Sequence, residues 1–413
     1  MTANRAPDLR EITAAFGRIG LLSFGGPAGQ IALMHAEIVE KRGWVDEDAY
    51  LRALNLCHLL PGPEAQQLAT WIGWRLAGLR GGLVAGTLFV IPGALVILAL
   101  SILYGFAARL AWFDAVLLGV KAAVLAIVVQ ALLRVAGRAL DTGFKRALAG
   151  VAFVALFLFD LPFPLVVIGS GIVGAVVPAV WLKLKPVRGG DRPRRIAPSA
   201  GRTLRTIAIG LALWLLPLAV VAGVLGPDHV LTRIGVFFAQ LAVVTFGGAY
   251  AVLAYMAQHA VETYGWLNAG EMADGLGLAE TTPGPLIMVT QFVGYLAAFR
   301  AAAPFTPLVA GVIGALLTTW VTFVPCFLWI FALAPWMDRL ERAPRLQGAL
   351  AAVTAAVVGV IANLSAWFAL HVLFARVEEV RAGPLRLFVL KRSVLTTLAI
   401  CAAAGAALGL AFS

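Results

Sequence analysis

Two short stretches, LPGPEAQQLATWIG (Leu60–Gly73) and TPGPLIMVTQFVG (Thr282–Gly294), each place Pro-Gly-Pro inside a strongly apolar region. Proline removes a backbone donor, glycine lowers helix propensity, and an interior proline costs a helix about 3 kcal/mol. A single break of this kind is a local feature. Two breaks in matching surroundings predict that the fold needs interrupted helices at both places.

The composition defines the class of protein. The chain has 413 residues, of which 61% are hydrophobic and 13% are charged, and its mean hydropathy is +0.92. Soluble domains are about 45–50% apolar and about 25% charged, so we expect an integral membrane protein. The net charge of +11 arises from basic residues between apolar runs. That pattern follows the positive-inside rule, and we expect no nucleic-acid partner.

Apolar runs of about 20 residues or more are long enough to span a bilayer as helices. The clear candidates are Gly81–Phe106, Trp112–Val135, Pro164–Leu184, Leu204–Leu225, Pro307–Leu333, Leu346–Leu373 and Leu387–Phe412, with Arg146–Asp160 as a shorter one. Four more apolar regions are interrupted by glycine, proline or polar residues: Phe16–Met34, Leu51–Trp74, Phe237–Met256 and Met272–Ala298. We predict an all-α membrane protein with about 10–13 membrane segments.

The chain also contains an internal repeat. Shifted by 222 positions, Phe16–Pro63 aligns without a gap and gives 15 identities in 48 positions. Ser23–Pro27 (SFGGP) falls on Thr245–Ala249 (TFGGA), and the two Pro-Gly-Pro motifs coincide. We predict two repeats, at residues 1–184 and 205–413, joined by a basic cytoplasmic linker at 185–204. The apparent odd number of crossings between them favours inverted topology, the arrangement of many secondary transporters.

The breaks are the predicted binding site. A helix that restarts after Pro-Gly-Pro points free N–H groups and about +0.5 of a charge at the break, which suits an anion. Hydroxyls and glycines of SFGG and TFGG would add donors and close backbone approach. The predicted substrate-binding residues are Ser23, Phe24, Gly25, Gly26, Pro61, Gly62, Pro63, Thr245, Phe246, Gly247, Gly248, Thr281, Thr282, Pro283, Gly284 and Pro285. The alternative is that these motifs only permit close helix packing and kinks.

Polar residues around the breaks are candidates for coupling or gating, because ionisable groups at membrane depth are costly. They are Glu64, Glu280, His58, Gln66, Gln30, Gln291 and Lys121. Glu64 is equally a first-turn residue favoured by the helix dipole, and Lys121 is equally a structural cation. Glu64 aligns with Leu286 and Glu280 with His58, so the halves are not chemically equivalent.

Motifs for other chemistries are missing from the sequence. There is no HExxH, GxSxG or P-loop motif, and the three cysteines are far apart. We therefore expect no enzyme, no metal site, no disulfide and no ATP-driven pump. The start of the chain lacks the pattern of a signal peptide.

The motifs resemble those of the chromate ion transporter family, and of its long, two-domain bacterial members. The resemblance rests on SFGGPAGQIALMH (23–35), LCHLLPGPEAQQLATWIG (56–73), LFVIPG (88–93), TFGGAYAVLAYM (245–256) and TTPGPLIMVTQFVGY (281–295). The second half departs from the first at Ala249 and at TFVPC (Thr322–Cys326).

The resemblance implies a multi-pass bacterial inner-membrane antiporter that exports chromate, confers chromate resistance and holds no cofactor. It does not identify the residues that contact the ion. Sulfate or another oxyanion as the true cargo, and a passive anion channel, are the alternatives. The sequence leaves open the transport direction, the coupling ion, the side of the C-terminus and the oligomeric state, including a homodimer.

Overall fold

The computed structural model describes residues 7–24, 26–107, 129–130, 132–183, 199–245, 249–341, 343–373, 377–382 and 385–390. The first half contains α1 (Leu9–Leu22), α2 (Gly26–His35), a π-helical turn (Ala36–Lys41), α3 (Glu47–Leu59), α4 (Glu64–Ala107), a helical stretch at 132–139, α5 (Gly143–Phe157) and α6 (Phe163–Val176). The second half contains α7 (Ala200–Leu225), α8 (Val230–Val244), α9 (Ala249–Gln258), a π-helical turn (His259–Thr263), α10 (Ala269–Thr281), a 3-10 turn (Leu286–Met288), α11 (Val289–Arg300), α12 (Pro307–Leu333), a 3-10 turn (Ala334–Trp336), α13 (Met337–Glu341), α14 (Pro344–Leu373), β1 (Val377–Ala382) and β2 (Leu385–Leu390).

The helices confirm a membrane protein. Within the described residues, four helices are long and apolar enough to cross a bilayer: Glu64–Phe106, Ala200–Leu225, Pro307–Trp336 and Pro344–Trp367. The apolar side chains of α7 point outward, as at Leu204 and Val224, which are 68% and 77% exposed. An apolar helix that packs so little of its surface against protein suits contact with lipid. The total of 10–13 segments and the inverted topology stay predictions.

Helix α4 folds back on itself at Ala77 and Gly78, where the backbone leaves helical geometry (φ −137° and +62°). A Cβ atom on Gly73 or on Gly81 would lie 2.2 Å from the other residue's carbonyl oxygen. Residues 64–76 and 79–107 are therefore two arms in glycine-mediated contact. The first arm is about 20 Å long, shorter than the hydrocarbon thickness of about 30 Å. It is a half-helix that begins directly after the first Pro-Gly-Pro.

The second half has the same order of elements. α10, of 13 residues, precedes the second Pro-Gly-Pro as α3, also of 13 residues, precedes the first. A short helix (α11) and a long one (α12) follow, and they also meet at glycines, because a Cβ on Gly314 would lie 2.4 Å from the Gly294 carbonyl oxygen. In each half, a break is thus bounded by two short helices and backed by a long one.

Several predicted boundaries change. The helix predicted within Pro164–Leu184 ends at Val176, and the last part of the predicted linker, 200–204, belongs to α7. The predicted span Leu387–Phe412 begins inside β2, which pairs antiparallel with β1 from Val377 opposite Leu390. This hairpin is the departure from an all-helical chain within the described part. Most of Trp112–Val135, the linker up to 198 and residues 391–413 lie outside the described residues.

Candidate functional site

The two breaks are hydrogen-bonded crosswise to the opposite halves. The Gly62 N–H donates to the Thr245 carbonyl at 2.8 Å, and the Gly284 N–H donates to the Ser23 carbonyl at 2.9 Å. Both glycines have positive φ angles, +115° and +98°, which residues other than glycine rarely adopt. The fold thus brings Gly62 to Thr245 and Gly284 to Ser23, the first residues of the Ser/Thr-Phe-Gly-Gly motifs of the opposite halves.

The glycine of the second break, Gly284, contacts the first half through both of its backbone polar groups and by close packing. The Gln30 side chain donates from Nε2 to the Gly284 carbonyl at 2.6 Å, so both polar groups of Gly284 bond to the first half. On α4, Gly93 packs directly against it: a Cβ on Gly284 would lie 3.0 Å from Gly93 Cα. In helix α11, which follows the break, Gln291 donates to the Ala94 carbonyl of α4 at 2.9 Å.

The first break has a matching neighbour in the second half, since a Cβ on Gly62 would lie 2.8 Å from Cys326 Sγ. Within the first half, the Gln67 side chain donates to the Pro61 carbonyl at 2.7 Å. Cys326 and Gly93 each follow a proline inside a long helix. Neither residue is among those predicted for the site. The signal was present in the sequence as the correspondence between VIPG and FVPC.

The hydroxyl groups are mostly engaged with their own helices. Thr245 donates to the Leu241 carbonyl at 2.6 Å, Thr281 to Gly277 at 3.1 Å and Thr282 to Ala279 at 3.2 Å. The Ser23 hydroxyl differs, since it is fully buried and has no hydrogen-bond partner in the described part of the chain.

These contacts correct one expectation. The Thr245 hydroxyl does not offer a free proton, because a carbonyl of α8 already accepts it. The N–H groups of Gly62 and Gly284 are also engaged, because both bond across the halves. The donor role of Ser23 and the anion site at the starts of the half-helices stay predictions.

The centre between the halves is polar but carries few charges. Gln30, Gln66, Gln67 and Gln291 are at most 1% exposed, and Glu64, at the start of α4, is 8% exposed. No lysine or arginine is buried among the residues that the structure describes. The side-chain oxygens of Gln30, Gln66 and Gln67 have no partner there. A centre that is rich in amides and has no buried lysine or arginine among the described residues can bind an ion reversibly, whereas buried arginines would hold an anion tightly.

The remaining predicted residues lie around this centre or outside the described chain. Glu280 is half-buried at the end of α10, His58 is exposed on α3, and Phe24 is 49% exposed. Gly26 begins α2 with φ +70°. Gly25, Phe246, Gly247, Gly248 and Lys121 lie outside the described residues. The roles predicted for all of these residues stay predictions.

Sequence reasoning missed a buried carboxylate. Asp274 on α10 is 2% exposed, and the Tyr104 hydroxyl of α4 donates to its Oδ2 at 2.8 Å. Its neighbourhood in the sequence, EMADGLGLAET, looks like the polar start of a helix. The capping residue Asn268 and Glu271 do fill that role. Only the packing of α10 against α4 shows that Asp274 is inside the protein.

Short helices that are broken by glycine and proline, and that meet around a buried polar centre, are typical of secondary transporters. The fold and the site therefore define a helical membrane transport protein. The chain belongs to the chromate transporter family, which it matches over residues 10–175 and 232–412.

Curated relatives agree with this assignment. The chain is 33% identical to the chromate transport protein of Pseudomonas aeruginosa, over 85% of this chain and 79% of the relative. It is 29% identical to a probable chromate transport protein of Synechococcus elongatus, over 87% and 84%. It is 28% identical to the chromate transport protein of Cupriavidus metallidurans, over 86% and 80%. No solved structure matches the chain.

Proposed function

We propose that this protein exports chromate across the bacterial inner membrane by proton- or potential-driven secondary transport and so confers chromate resistance. Support comes from its family and from relatives of nearly the same extent that are named chromate transport proteins. Without a P-loop in the sequence, ATP hydrolysis is not expected to drive it.

The proposed oxyanion site lies between the crossed breaks. The observation that carries it is the buried Ser23 hydroxyl, which has no partner in the described residues although its own carbonyl binds Gly284. A hydroxyl that donates to a dianion contributes about 1.5–3 kcal/mol. In this proposal the crossed hydrogen bonds hold the breaks in shape, and the surrounding glutamines orient the ion.

The two halves are proposed to be inverted repeats that alternate between two arrangements. The family match supports the duplication, because its two regions begin at residues 10 and 232, the same offset of 222 positions as the sequence repeat. Because each break is hydrogen-bonded to the opposite half, a movement at one of these two contacts would be coupled to a movement at the other. Movement of one half against the other would then open the centre to one side at a time.

Sulfate is the second candidate cargo. It is a tetrahedral dianion like chromate, and the amides and the Ser23 hydroxyl of the centre offer no chemistry that separates the two ions. A passive channel would share the site but would follow only the electrochemical gradient of the anion.

The test is chromate accumulation in sensitive bacteria that express the chain. We expect lower cellular chromate and higher resistance than in cells with the Gly284→Leu variant, which must be present in the membrane in equal amount. Equal accumulation in the two strains would contradict export through this site. Loss of export when sulfate is supplied at concentrations comparable to chromate would instead identify a general oxyanion carrier.

A further inference from the structure

Helix α12 contains Pro325, and the carbonyl that this proline leaves free is bound by another helix. Proline has no N–H, so the Val321 carbonyl, four residues earlier, lacks its usual partner within the helix. The Trp214 indole of α7, which is 5% exposed, donates to that carbonyl from Nε1 at 2.8 Å. The stretch Val321–Cys326, the Pro325 turn, is therefore held in place by α7.

A second bond of the same kind joins the two helices in the opposite sense. Pro217 lies inside α7 and frees the Leu213 carbonyl, which accepts a hydrogen bond from Trp320 of α12 at 3.1 Å. Both helices are candidate membrane spans, where a backbone group must find its partner within the protein. Each helix thus supplies an indole to the carbonyl that the proline of the other helix has freed.

The Pro325 turn lies against the first break. Cys326 is the residue whose sulfur would be 2.8 Å from a Cβ on Gly62. The same sulfur is 3.9 Å from the Thr322 carbonyl, four residues earlier in α12. Four residues of helix are about 6 Å long, so Thr322 lies one turn from the contact with the break.

Thr322 carries a buried hydroxyl that no described group binds. The residue is 4% exposed, and its Oγ1 has no hydrogen-bond partner in the described part of the chain. Two other threonines of α12, Thr318 and Thr319, donate to carbonyls four residues earlier, at 2.8 Å and 2.9 Å. A threonine in a helix commonly makes that bond. A buried hydroxyl without it is costly, and a bound ligand is one way to satisfy it.

Each break thus has one such hydroxyl near it. Ser23, whose carbonyl binds Gly284, serves the second break. At the first break the Thr245 hydroxyl is engaged with its own helix, and Thr322 is the hydroxyl that remains. The correspondence of VIPG with FVPC places Phe89 of α4 at the position of Thr322. The two halves therefore contribute their hydroxyls from different elements.

We propose that Thr322 is a second hydroxyl donor to the bound tetrahedral oxyanion, and that Trp214 is its positioning residue. This inference rests on the proposed function and adds a residue to the proposed site. Thr322 donates to an oxygen of the dianion from the second half, as Ser23 does from the first. Trp214 fixes the place of that hydroxyl through the carbonyl that Pro325 leaves free.

The experiment measures chromate counterflow in proteoliposomes as a function of chromate concentration, together with unfolding of each variant in detergent. Thr322→Val replaces the hydroxyl by a methyl group of similar size. We expect the KM for chromate to rise at least tenfold, the maximal flux to stay within about threefold, and the unfolding midpoint to stay the same or rise. Thr322→Ser keeps the hydroxyl and should keep KM within about threefold.

Thr354→Val is the matched control for the loss of a hydroxyl. Thr354 lies on α14 and already donates to the Leu350 carbonyl at 2.8 Å. Its KM should stay within about twofold of wild type.

A second pair of variants tests the positioning role. Trp214→Phe and Trp320→Phe each remove one indole N–H from a carbonyl freed by proline and keep an aromatic ring. We expect KM to rise at least threefold in Trp214→Phe and to stay within about twofold in Trp320→Phe. In the Thr322→Val background, Trp214→Phe should change KM little further, because the tryptophan acts through the threonine.

An unchanged KM or a lower unfolding midpoint in Thr322→Val would overturn the inference. Equal effects of the two tryptophan substitutions, or an undiminished effect of Trp214→Phe in the Thr322→Val background, would overturn the positioning role. These results would leave the proposed export of chromate standing. Absence of chromate counterflow in the wild-type protein would instead refute the proposed function, and the inference with it.

Discussion

Gly284→Ala tests whether the crossed breaks hold the molecule together. At φ +98°, residue 284 lies well away from the left-handed well near about +57°, so a side chain there costs about 1–3 kcal/mol. The new methyl carbon would lie 3.0 Å from Gly93 Cα and 3.5 Å from Gly93 N. Both are backbone atoms, which cannot relieve the contact by a change of rotamer. Overpacking of this kind costs about 1–3 kcal/mol. The total destabilisation is about 2–6 kcal/mol.

Gly265→Ala is the matched control. Its φ of +60° is also positive, but no atom lies within 4 Å of the new Cβ. It should cost only the left-handed conformation, about 1–2 kcal/mol. The comparison therefore separates backbone strain from the contact between Gly284 and Gly93.

The assay is unfolding of the purified protein in detergent, followed for wild type and both variants, together with chromate flux. We expect Gly284→Ala to lose more free energy of unfolding than Gly265→Ala and to lose at least tenfold in flux. Gly265→Ala should keep its flux. Equal destabilisation by the two substitutions, with normal flux in Gly284→Ala, would refute the close contact and the role of the break.

Two further predictions concern the Gln30 side chain and the ion pair between Glu37 and Lys41. Gln30→Leu removes the donor to the buried Gly284 carbonyl and should lower the free energy of unfolding by about 1–3 kcal/mol; an unchanged denaturation midpoint would contradict that bond. In the π-helical turn Ala36–Lys41, which is not one of the four candidate spans, the Lys41 ammonium 2.6 Å from Glu37 holds the pKa of Glu37 below its ordinary value of 4.5. Because the folded pKa is depressed, this stabilisation is complete above about pH 4.5 and disappears as pH falls through the folded pKa. The stability difference between wild type and Glu37→Gln should shrink over that acidic range, and a constant difference from pH 7 to pH 3 would contradict the pairing.

The sequence was sufficient to predict the breaks, their two copies and the motifs that surround them. Proline and glycine act on the backbone locally, so their effect can be read without a structure. Helix α12 begins and ends at the predicted residues, Pro307 and Leu333, because a long apolar run bounded by proline admits few alternatives.

The partners of the breaks could not be predicted. A repeat shows that Pro-Gly-Pro and Ser/Thr-Phe-Gly-Gly occur together in each half, but it does not say whether they bond within a half or between halves. The structure shows bonds between halves at Gly62–Thr245 and Gly284–Ser23. The hydrogen bond of the Thr245 hydroxyl within its own helix could partly be predicted, since a threonine at the end of a helix often donates to the carbonyl four residues earlier.

Asp274 was missed for a different reason. An acid near the start of a helix is usually solvated and favoured by the helix dipole. Its hydrogen-bond partner Tyr104 is 170 positions away in the chain. Neither periodicity nor local composition carries that information.

The most direct test of the central claim is chromate flux in proteoliposomes that contain only the purified wild-type protein. With equal chromate on both sides and an imposed pH gradient, the account predicts net chromate movement against its own developing gradient. Sulfate at the same concentration should not abolish it. Flux that runs only downhill at every imposed pH gradient would contradict a coupled chromate carrier and would indicate a passive anion pathway.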